Sequence, residues 1–356
     1  MRPQLDSTKA SRPARNRSRS GLADARPVSA ASLVTAALRA NQHALGRLSA
    51  MPVSLDWSSE MDELVSRIGF HTIPRWHFPM LNDRRRNEAF ATAIERQVSP
   101  GSHVLDIGSG AGLLAMIAAR AGAGRVTTCE TNPLLAEIAR QVIAVNDLSE
   151  VITVVPKAST ELRVGHDLPR RADLIVSEIV DCGLVGEGLL PTMRHGREHL
   201  LAPGGTLLPR SARLFGFLIE SDVVSGQNRV TSAAGFDLRL LNMVATKGHY
   251  PIRLQTWPHK VLSSTAELAG FDLAVDRLDD GQRPVTLPVV CCGIAHALAV
   301  WFELDIGTGV RLRTLPQAPE SHWMQALVPL PAPRPVAAGD EIAVDFGWRS
   351  ERLFVC

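Results

Sequence analysis

Val104-Leu105-Asp106-Ile107-Gly108-Ser109-Gly110-Ala111-Gly112 is the stretch that decides the fold of this chain. A short apolar strand leads into a glycine-rich turn, and Leu113–Ala121 continues as a helix. Glycine lets the backbone approach a ligand closely, and the first turn of a helix presents free N–H groups. The pattern therefore predicts a ligand site at the turn. A GxGxG sequence alone is equally typical of a dinucleotide-binding fold.

The segments on both sides of this turn alternate between helices and strands. A helix is predicted over Asp83–Val98, a strand over Val126–Glu130 and a helix over Pro133–Asn146. Further strands are predicted over Val151–Val155 and Leu174–Ser177. This alternation indicates an α/β domain with a parallel sheet and helices on both of its faces.

The pattern changes after Pro203-Gly204-Gly205, where short apolar runs are separated by proline, glycine and aspartate. Such runs predict an all-β unit, a barrel or a sandwich. We place the domain boundary near 203–209, with 31–205 in the first unit and 206–356 in the second. The predicted strands of the second unit are Leu207–Leu208, Ala212–Ile219, Val285–Val290, Ala297–Leu304, Met324–Val328 and Ile342–Phe346.

The amino-terminal part of the chain has a different composition. Residues 1–30 are rich in arginine, serine and proline, which predicts a disordered basic tail and leaves a transit peptide as the alternative. A helix is predicted from Ser32 to Leu48. The formal charge of +2 over 356 residues argues against a dedicated nucleic-acid binder. No apolar run is long enough for a membrane span.

The five cysteines form no CxxC pair and no cluster with zinc-site spacing, so we expect no metal. Their odd and scattered distribution is typical of reduced thiols in a cytoplasmic protein.

Two acidic residues suggest what ligand the glycine turn binds. Asp106 immediately precedes the turn, and Glu130 lies at the end of the next strand. A carboxylate at the second position can accept both ribose hydroxyls of an adenosine, and an acid at the first can orient the methionine part of S-adenosylmethionine. The alternative is the ordinary polarity of strand ends, but the joint occurrence of both acids favours the cofactor site.

Glu178 and Glu187 stand nine residues apart and bracket a loop with Gly183 at the carboxyl edge of the predicted sheet. This segment resembles the double-glutamate loop of the protein arginine methyltransferases, and further motifs extend the resemblance over about residues 60–356. These motifs are Trp76–Asp83 with Arg86-Asn87, similar to the cofactor-covering helix; Ser321–Gln325, similar to the Thr-His-Trp loop; and His296–Phe302, similar to a strand of the β-barrel.

The resemblance implies a Rossmann-like S-adenosylmethionine-dependent methyltransferase domain followed by a β-barrel domain. It also implies a role for each matching residue. Glu178 and Glu187 would grip the guanidinium group, with His322 close to them as a catalytic residue, and Asp181 and Trp323 would contribute to substrate binding. The implied cofactor-binding residues are His77, Met80, Arg86, Asp106, Gly108, Gly110, Glu130 and Ser159.

Paired carboxylates suit this chemistry. A guanidinium group stays protonated at physiological pH, so its nitrogens are delocalised and poor nucleophiles. Two carboxylates can bind its fork through charge-assisted hydrogen bonds and draw charge away from the distal nitrogen.

Simpler interpretations of individual residues stay open. His77 could be a satisfied helix-start histidine, and Arg86 one of a solvated basic cluster. His322 and Trp323 could be barrel core, and Asp181 could cap a loop.

The chain departs from the family pattern in two places. Arg67-Ile68-Gly69-Phe70-His71 stands where many members carry Tyr-Phe-x-x-Tyr, so that lid is altered. Asp181 stands three residues after Glu178, and Gly186 and Gly188 flank Glu187, which is similar to the branch with tandem catalytic domains. An acid beside the glutamates would crowd the pocket, so we expect monomethylation, with symmetric dimethylation as the alternative.

The acceptor is left open between free L-arginine and arginine in a protein or peptide. Glu220–Trp257 resembles the dimerisation arm of the family, which implies a homodimer. Two further functions are weighed: a methyltransferase with another small-molecule acceptor, and a pseudoenzyme that binds without turnover.

Overall fold

The computed structural model of this chain describes residue 35 and residues 60–317, 321–349 and 351–356. The predicted basic tail at 1–30 lies outside the described residues. The predicted helix from Ser32 to Leu48 lies outside them as well, except for residue 35, which is helical.

The described ranges from residue 60 onward contain seven α-helices, which fall mainly in the first half of the chain. They are α1 Glu60–Thr72, α2 His77–Asn82, α3 Arg84–Gln97, α4 Leu113–Arg120, α5 Pro133–Val145, α6 Leu189–His195 and α7 Asp222–Gly226. The predicted helices over Asp83–Val98, Leu113–Ala121 and Pro133–Asn146 correspond to α3, α4 and α5. Asn132 caps α5 by accepting hydrogen bonds from two backbone N–H groups, and Pro133 suits its first turn.

The first domain is built on a five-stranded parallel sheet with strand order β3-β2-β1-β4-β5. Its strands are β1 His103–Ile107, β2 Arg125–Cys129, β3 Ile152–Val155, β4 Ala172–Ser177 and β5 Leu201–Leu208. All five residues of β1 are buried, as a central strand covered on both faces requires. The α/β architecture predicted from the sequence is confirmed.

One strand belongs to a different domain from the one predicted. Leu207–Leu208 was expected to begin the all-β unit, but these residues end β5, which pairs in parallel with β4. A register shift beside Asp173 absorbs the Pro203-Gly204-Gly205 interruption, so the strand continues through it. The parallel sheet therefore extends to Leu208.

The second half of the described chain is an antiparallel β domain. Its strands are β6 Ser211–Glu220, β7 Ser232–Ala233, β8 Phe236–Asp237, β9 Tyr250–Ile252, β10 Lys260–Val261, β11 Ala266–Asp272, β12 Gly281–Pro288, β13 Gly293–Gly307, β14 Val310–Arg313, β15 Gln325–Val336, β16 Glu341–Arg349 and β17 Arg352–Val355. Its two principal sheets have seven strands around β6 and β13 and three strands in the order β12-β16-β17. This pairing confirms a β-rich second domain and does not establish a closed barrel.

Residues 222–248 form an excursion from the β domain, between β6 and β9. The excursion contains α7, the two-stranded pair β7 and β8, and a 3₁₀ turn at Arg239–Val244. Several of its large apolar side chains are more than 60% exposed: Phe236, Leu240, Leu241, Met243 and Val244.

None of the helices in the described part of the chain combines the length and the apolar character that crossing a membrane requires.

The parallel sheet brings three functional segments to one edge. The glycine turn follows β1, Glu130 follows β2, and the loop that begins at Glu178 follows β4. Because β1 pairs with both β2 and β4, the carboxyl ends of the three strands are neighbours. Open α/β sheets bind their ligands at this edge.

Candidate active site

The glycine turn after β1 is held against the neighbouring strand. The N–H groups of Gly108 and Ser109 both donate to the carbonyl oxygen of Cys129, at 3.0 and 2.9 Å. Gly108 has φ +84°, and a Cβ there would lie 2.6 Å from Cγ2 of Ile179. Only glycine combines this backbone conformation with such a close approach. The turn therefore packs directly beneath the segment that carries Glu178.

Glu130 links the turn to the end of β2. Its Oε2 accepts a hydrogen bond from the Gly110 N–H at 3.0 Å, and its Oε1 accepts one from the Asn132 N–H at 2.9 Å. A carboxylate offers about four lone-pair positions, so Glu130 can accept further hydrogen bonds from a ligand.

Asp106 is a fully buried acid below the turn. Thr128 donates its hydroxyl to Asp106 Oδ2 at 2.8 Å, while Oδ1 has no hydrogen-bond partner among the described residues. Burial raises the pKa of Asp106 to about 7, although the Thr128 hydroxyl and the nearby Arg86 oppose the shift. A buried acceptor without a partner is costly, so this position suits a cationic group of a ligand.

A cavity of about 460 Å³ brings most of the predicted site residues together. The size is in the usual range for small-molecule sites. Among its lining residues are His77, Met80, Arg86, Gly108, Gly110, Glu130, Ser159, Glu178 and Glu187. Asp106, Asp181, His322 and Trp323 are not part of the lining.

The cavity fits S-adenosylmethionine in its charge distribution. Three buried polar atoms in or below its wall have no partner among the described residues: Asp106 Oδ1, Arg86 Nε and Ser109 Oγ. An amino-acid group has an ammonium for an acid such as Asp106 and a carboxylate for a donor such as Arg86.

Arg86 forms a buried ion pair with Glu178. Arg86 Nη2 donates to Glu178 Oε2, and both side chains are less than 5% exposed. Arg86 Nη1 also donates to Asn87 Oδ1 at 2.8 Å. The family resemblance implies that Arg86 binds the cofactor; in the structure its ion-pair partner is Glu178, the first glutamate of the loop. The same guanidinium therefore lies between the cofactor side and the acceptor side of the cavity.

The two glutamates of the loop differ in their environment. Burial raises the pKa of Glu178, and Arg86 opposes that shift. Among the described residues, Glu187 forms no ion pair with a cation. Burial and then the negative charges of Glu178, Asp181, Glu130 and Glu351 raise the pKa of Glu187 to about 8. Within the described part of the chain, Glu187 is thus a carboxyl group without a cationic partner.

Asp181 holds the glutamate loop closed. Its Oδ1 accepts hydrogen bonds from the N–H groups of Gly183 and Gly186, at 3.1 and 2.8 Å. A Cβ at Gly186 would lie 2.2 Å from Asp181 Oδ2, so the loop needs glycine there. The structure therefore gives Asp181 the loop-capping role, which was the alternative interpretation. Because Asp181 binds its own loop, it gives no structural support to the expected monomethylation, which stays a prediction.

His249 links this loop to the β domain through two hydrogen bonds. Its Nδ1 accepts a hydrogen bond from the Leu353 N–H at 3.0 Å, and its Nε2 lies 2.6 Å from Asp181 Oδ2. Because Nδ1 is an acceptor, the proton on Nε2 is the one donated to Asp181. Ligand-type atoms of Asp181, Cys182 and His249 lie within 4.8 Å of one another. The expectation that the protein holds no metal stays a prediction.

His322 pairs with an acid that the sequence analysis did not single out. Asp83 Oδ2 accepts from the His322 backbone N–H at 3.0 Å and lies 2.9 Å from its Nδ1. Burial lowers the pKa of His322 to about 4, although Asp83 opposes the shift, so the imidazole is neutral at pH 7. Burial raises the pKa of Asp83, but hydrogen bonds from Arg86 and His322 outweigh it and leave that pKa below its usual value.

Asp83 thereby connects two site residues. Its Oδ1 accepts from the Arg86 N–H at 3.0 Å as the cap of α3, while its Oδ2 holds His322. Its position at the start of a predicted helix was the signal that could have identified it.

Trp323 connects the β domain to the glutamate loop. The indole N–H donates to the Val180 carbonyl oxygen at 2.8 Å, and the ring packs edge-on against Phe302 at 5.3 Å. Its side chain is buried, so the structure assigns it to the contact between the β domain and the glutamate loop. Trp323 does not line the 460 Å³ cavity, and its contribution to substrate binding stays a prediction.

The remaining predicted residues lie on the cofactor side of the cavity. His77 Nδ1 lies 2.8 Å from the Pro74 carbonyl oxygen, and its ring stacks on Trp76 at 4.0 Å. Met80 is buried on α2, and Ser159 is buried in a 3₁₀ turn after β3. His77 is therefore both a satisfied helix-start histidine and a residue of the cavity wall.

The site thus contains a cavity of small-molecule size beside a buried carboxyl group, Glu178, and a partly buried one, Glu187. Arg86 forms an ion pair with Glu178, whereas Glu187 has no cationic partner among the described residues. The arrangement can bind one additional cation at the boundary of the cofactor pocket.

Two protein-family models match separate segments of the chain. Residues 211–352 match the model described as the arginine methyltransferase oligomerization subdomain. Residues 90–195 match the model of the ribosomal protein L11 methyltransferase.

Curated relatives extend the match to most of the chain. An "Arginine N(omega)-methyltransferase" of Streptomyces achromogenes subsp. streptozoticus is 55% identical over 314 residues, which cover 88% of this chain and 86% of the relative. "Protein arginine N-methyltransferase 9" of Homo sapiens is 30% identical over 306 residues, covering 76% of this chain but only 36% of that protein.

Two solved structures have the same fold. The Trypanosoma brucei PRMT1 enzyme-prozyme heterotetrameric complex with AdoHcy aligns with a TM-score of 0.67 and 24% identity, over 78% of this chain and 90% of the other. Arabidopsis thaliana protein arginine methyltransferase 10 aligns with a TM-score of 0.62 and 21% identity, over 76% and 86%.

The environment of Asp106 predicts how cofactor affinity depends on pH. A ligand ammonium binds the ionised carboxylate, whereas burial keeps the pKa near 7. Below that pKa the proton must be expelled, so affinity for S-adenosylhomocysteine should fall roughly tenfold per pH unit between about pH 7 and about pH 5.5. Titration calorimetry across that range measures this slope.

Asp106→Asn is the matched variant for this titration. It should bind more weakly at pH 8 and show no such slope, because its amide does not titrate. An affinity of the unmodified protein that is constant over the whole range contradicts the assignment of Asp106.

Proposed function

The chain belongs to the protein arginine methyltransferase family, and from this premise we propose that it transfers a methyl group from S-adenosylmethionine to an ω-nitrogen of free L-arginine. The choice of acceptor is supported by the Streptomyces relative, which is 55% identical and is named for arginine and not for protein arginine. Coverage of 86% of that relative means that the comparison concerns nearly the whole of it. Peptidyl arginine is the competing acceptor.

One observation carries this proposal: Glu187 is a partly buried carboxyl group with no cationic partner among the described residues, beside the buried Glu178 and on the wall of the cofactor-type cavity. Burial and then the surrounding negative charges raise the pKa of Glu187, and a bound guanidinium would offset both effects by favouring the ionised carboxylate. A guanidinium donates from a planar fork, which matches carboxylate oxygens better than an ammonium does.

The cofactor would be held by groups in and below the pocket wall. Asp106, below the wall, suits its ammonium and Arg86 its carboxylate, because each has a buried polar atom without a partner among the described residues. Glu130 would accept hydrogen bonds from the ribose hydroxyls, since its carboxylate has lone pairs beyond those used by the two backbone N–H groups. When bound, S-adenosylmethionine supplies an activated methyl group on a sulfonium.

The glutamates prepare the acceptor. Ionised Glu187 and Glu178 would accept hydrogen bonds from the guanidinium and draw its positive charge toward the bound nitrogens. The distal nitrogen then carries more electron density. The remaining contribution is to hold that nitrogen in one orientation toward the methyl group.

His322 is suited to accept a proton. Its neutral imidazole donates from Nδ1 to Asp83, so Nε2 is the unprotonated nitrogen. Methylation of a guanidinium makes it acidic, and the proton has to leave the product. The role of His322 as this base is proposed from its protonation state and from the resemblance stated above.

The number of methyl groups transferred stays a prediction. Monomethylation was expected because of Asp181, but its carboxylate binds Gly183 and Gly186 inside the loop. The preference for monomethylation therefore rests on the similarity to the branch with tandem catalytic domains, and the product mass decides it.

Glu187→Gln tests the proposed function. The substitution preserves shape but removes the charge that binds the guanidinium, so kcat/KM for L-arginine should fall at least about one hundredfold, equal to roughly 3 kcal/mol. Glu341→Gln, at an exposed position on β16, is the matched control and should behave like the unmodified protein. Mass spectrometry of the products after incubation with S-adenosylmethionine measures both rate and methyl number.

Four outcomes of this assay are informative. One added methyl on L-arginine supports the proposal, and two would replace monomethylation by dimethylation. Transfer to an arginine-containing peptide alone would make the chain a protein-modifying enzyme. Full activity of Glu187→Gln would contradict the role of the glutamate.

We also propose that the chain forms a homodimer through its excursion at residues 222–248. Its exposed apolar side chains are concentrated on one 3₁₀ turn, with Leu240 78% and Val244 79% exposed. A cluster of large exposed apolar residues is typical of a protein–protein contact. The matched oligomerization subdomain includes this segment.

Leu240→Asp should convert the dimer into a monomer, because it places a charge in the proposed contact. Val275→Asp is the control, since Val275 is 70% exposed but lies outside the excursion. Light scattering coupled to size-exclusion chromatography gives the mass of each variant. A monomeric unmodified protein, or a dimeric Leu240→Asp variant, would rule out this contact.

A further inference from the structure

A second and larger cavity, of about 810 Å³, lies between the base of the excursion and the end of the chain. Four cationic side chains line it: Arg229 and Lys247 from the excursion, and Arg349 and Arg352 from the terminal strands. Glu351 is the one acid in the lining. The proposed methyl transfer makes no use of this cavity.

The positive charge of the cavity is not neutralised within the described part of the chain. None of the four cations forms an ion pair with a described residue. Arg349 lies 5.6 Å above the ring of Phe354, a contact that leaves its charge in place. Like charges in one concave surface attract an anion, so the cavity is suited to an anionic group of a ligand.

The cavity borders the glutamate loop. A Cβ at Gly188 would lie 3.8 Å from Oε1 of Glu351, and the charge of Glu351 contributes to the raised pKa of Glu187. On the other side, Lys247 is two residues from His249, which is bound to Asp181 of the loop. Residues of the cationic cavity therefore border the loop that carries Glu187: Glu351 lies beside Gly188, and Lys247 is near His249 in the chain.

Arg352 lies next to the residue that binds His249. Its neighbour Leu353 donates its backbone N–H to Nδ1 of His249. A Cβ at Gly248 would lie 3.3 Å from Cβ of Arg352, so the segment before β9 that carries Lys247 is in close contact with β17, which carries Arg352. The two cations thus approach the cavity from neighbouring backbone segments.

We propose that this cavity binds the amino-acid end of free L-arginine, with Lys247 and Arg352 as the ligands of its α-carboxylate. This inference rests on the proposed function, in which the guanidinium binds Glu178 and Glu187. Three methylene groups separate the guanidinium of arginine from its α-carbon. One molecule would therefore contact the glutamate loop with its guanidinium and the cationic cavity with its α-carboxylate. Glu351 is the acid that faces the α-ammonium group.

The charges of the lining match a zwitterion better than a basic peptide. Arginine-rich peptides carry several positive charges, which the four cations repel. Arginine inside a peptide also has no free carboxylate for Lys247 and Arg352 to bind. A free amino acid offers one carboxylate and one ammonium, and the cavity has partners for both.

The test compares L-arginine with L-argininamide, which has the same guanidinium but no carboxylate. Loss of a charge-assisted hydrogen bond weakens binding by about 1.5–3 kcal/mol, so kcat/KM for L-arginine should exceed that for L-argininamide by roughly tenfold or more. Arg352→Gln and Lys247→Gln should each raise KM for L-arginine by a similar factor and leave L-argininamide unchanged. Arg352→Lys should restore most of the preference for L-arginine.

Arg283→Gln serves as the matched control, because Arg283 is an exposed cation on β12 that does not line the cavity. It should keep the preference for L-arginine. Thermal melting of each variant verifies that the fold is intact, and the amide substrate provides the same check on the active site.

Equal use of the two substrates by the unmodified protein would overturn the inference while leaving the proposed function intact. A similar loss with both substrates in the Arg352 and Lys247 variants would also overturn it. Preference for an acidic arginine-containing peptide over free L-arginine would assign the cations to peptide recognition. Failure to methylate any guanidine would contradict the proposed function itself.

Discussion

The buried ion pair between Arg86 and Glu178 is the interaction on which the site depends. Both side chains are nearly inaccessible to water, where an unpaired charge would be strongly unfavourable. Arg86 comes from a helix before the sheet, and Glu178 comes from the end of β4. Their pairing therefore brings the covering helices onto the sheet edge and closes one side of the cofactor cavity.

The same pair explains why the second glutamate has a different chemical role. Arg86 compensates one of several carboxyl groups at this edge, and Glu187 retains the repulsion of the others. A cation that binds beside Glu187 would therefore stabilise its ionised carboxylate. Because Arg86 also suits a cofactor carboxylate, binding of the cofactor bears on how strongly Glu178 is held.

A connected set of hydrogen bonds supports these groups from the β domain. Asp83 joins His322 to the start of the helix that carries Arg86, and His249 joins the glutamate loop to the last strand. Trp323 adds a bond to the loop backbone at Val180. The second domain therefore positions the glutamate loop of the first domain. It also contains most of the cationic cavity that lies next to this loop.

The local pattern of the sequence was sufficient to predict the parallel sheet and the residues at its carboxyl edge. The glycine turn follows β1, Glu130 follows β2, and the loop with Glu178 and Glu187 follows β4; the parallel topology brings the ends of these three strands together. The true end of β5 was not predictable, because Pro203-Gly204-Gly205 is a break signal that a register shift overrides.

Side-chain partners were less accessible to prediction. The binding of Asp181 to its own loop depends on how closely Gly186 approaches it, and no residue pattern encodes that distance. His249 and Arg352 lie far along the chain from the loop they border, so only the tertiary structure reveals them. Motif resemblance gave Arg86 a cofactor partner and did not indicate that Glu178 also binds it.

The most direct measurement is the number of protons released when L-arginine binds to the protein saturated with S-adenosylhomocysteine. Calorimetry near pH 7 in two buffers of different ionisation enthalpy gives this number. Glu187 has a pKa of about 8 before the guanidinium arrives and must ionise to bind it, so the account predicts release of close to one proton. Glu187→Gln should release none at saturating arginine. Identical binding enthalpies in both buffers for the unmodified protein would mean that no proton is released. That result would contradict the claim that Glu187 is protonated before the guanidinium binds.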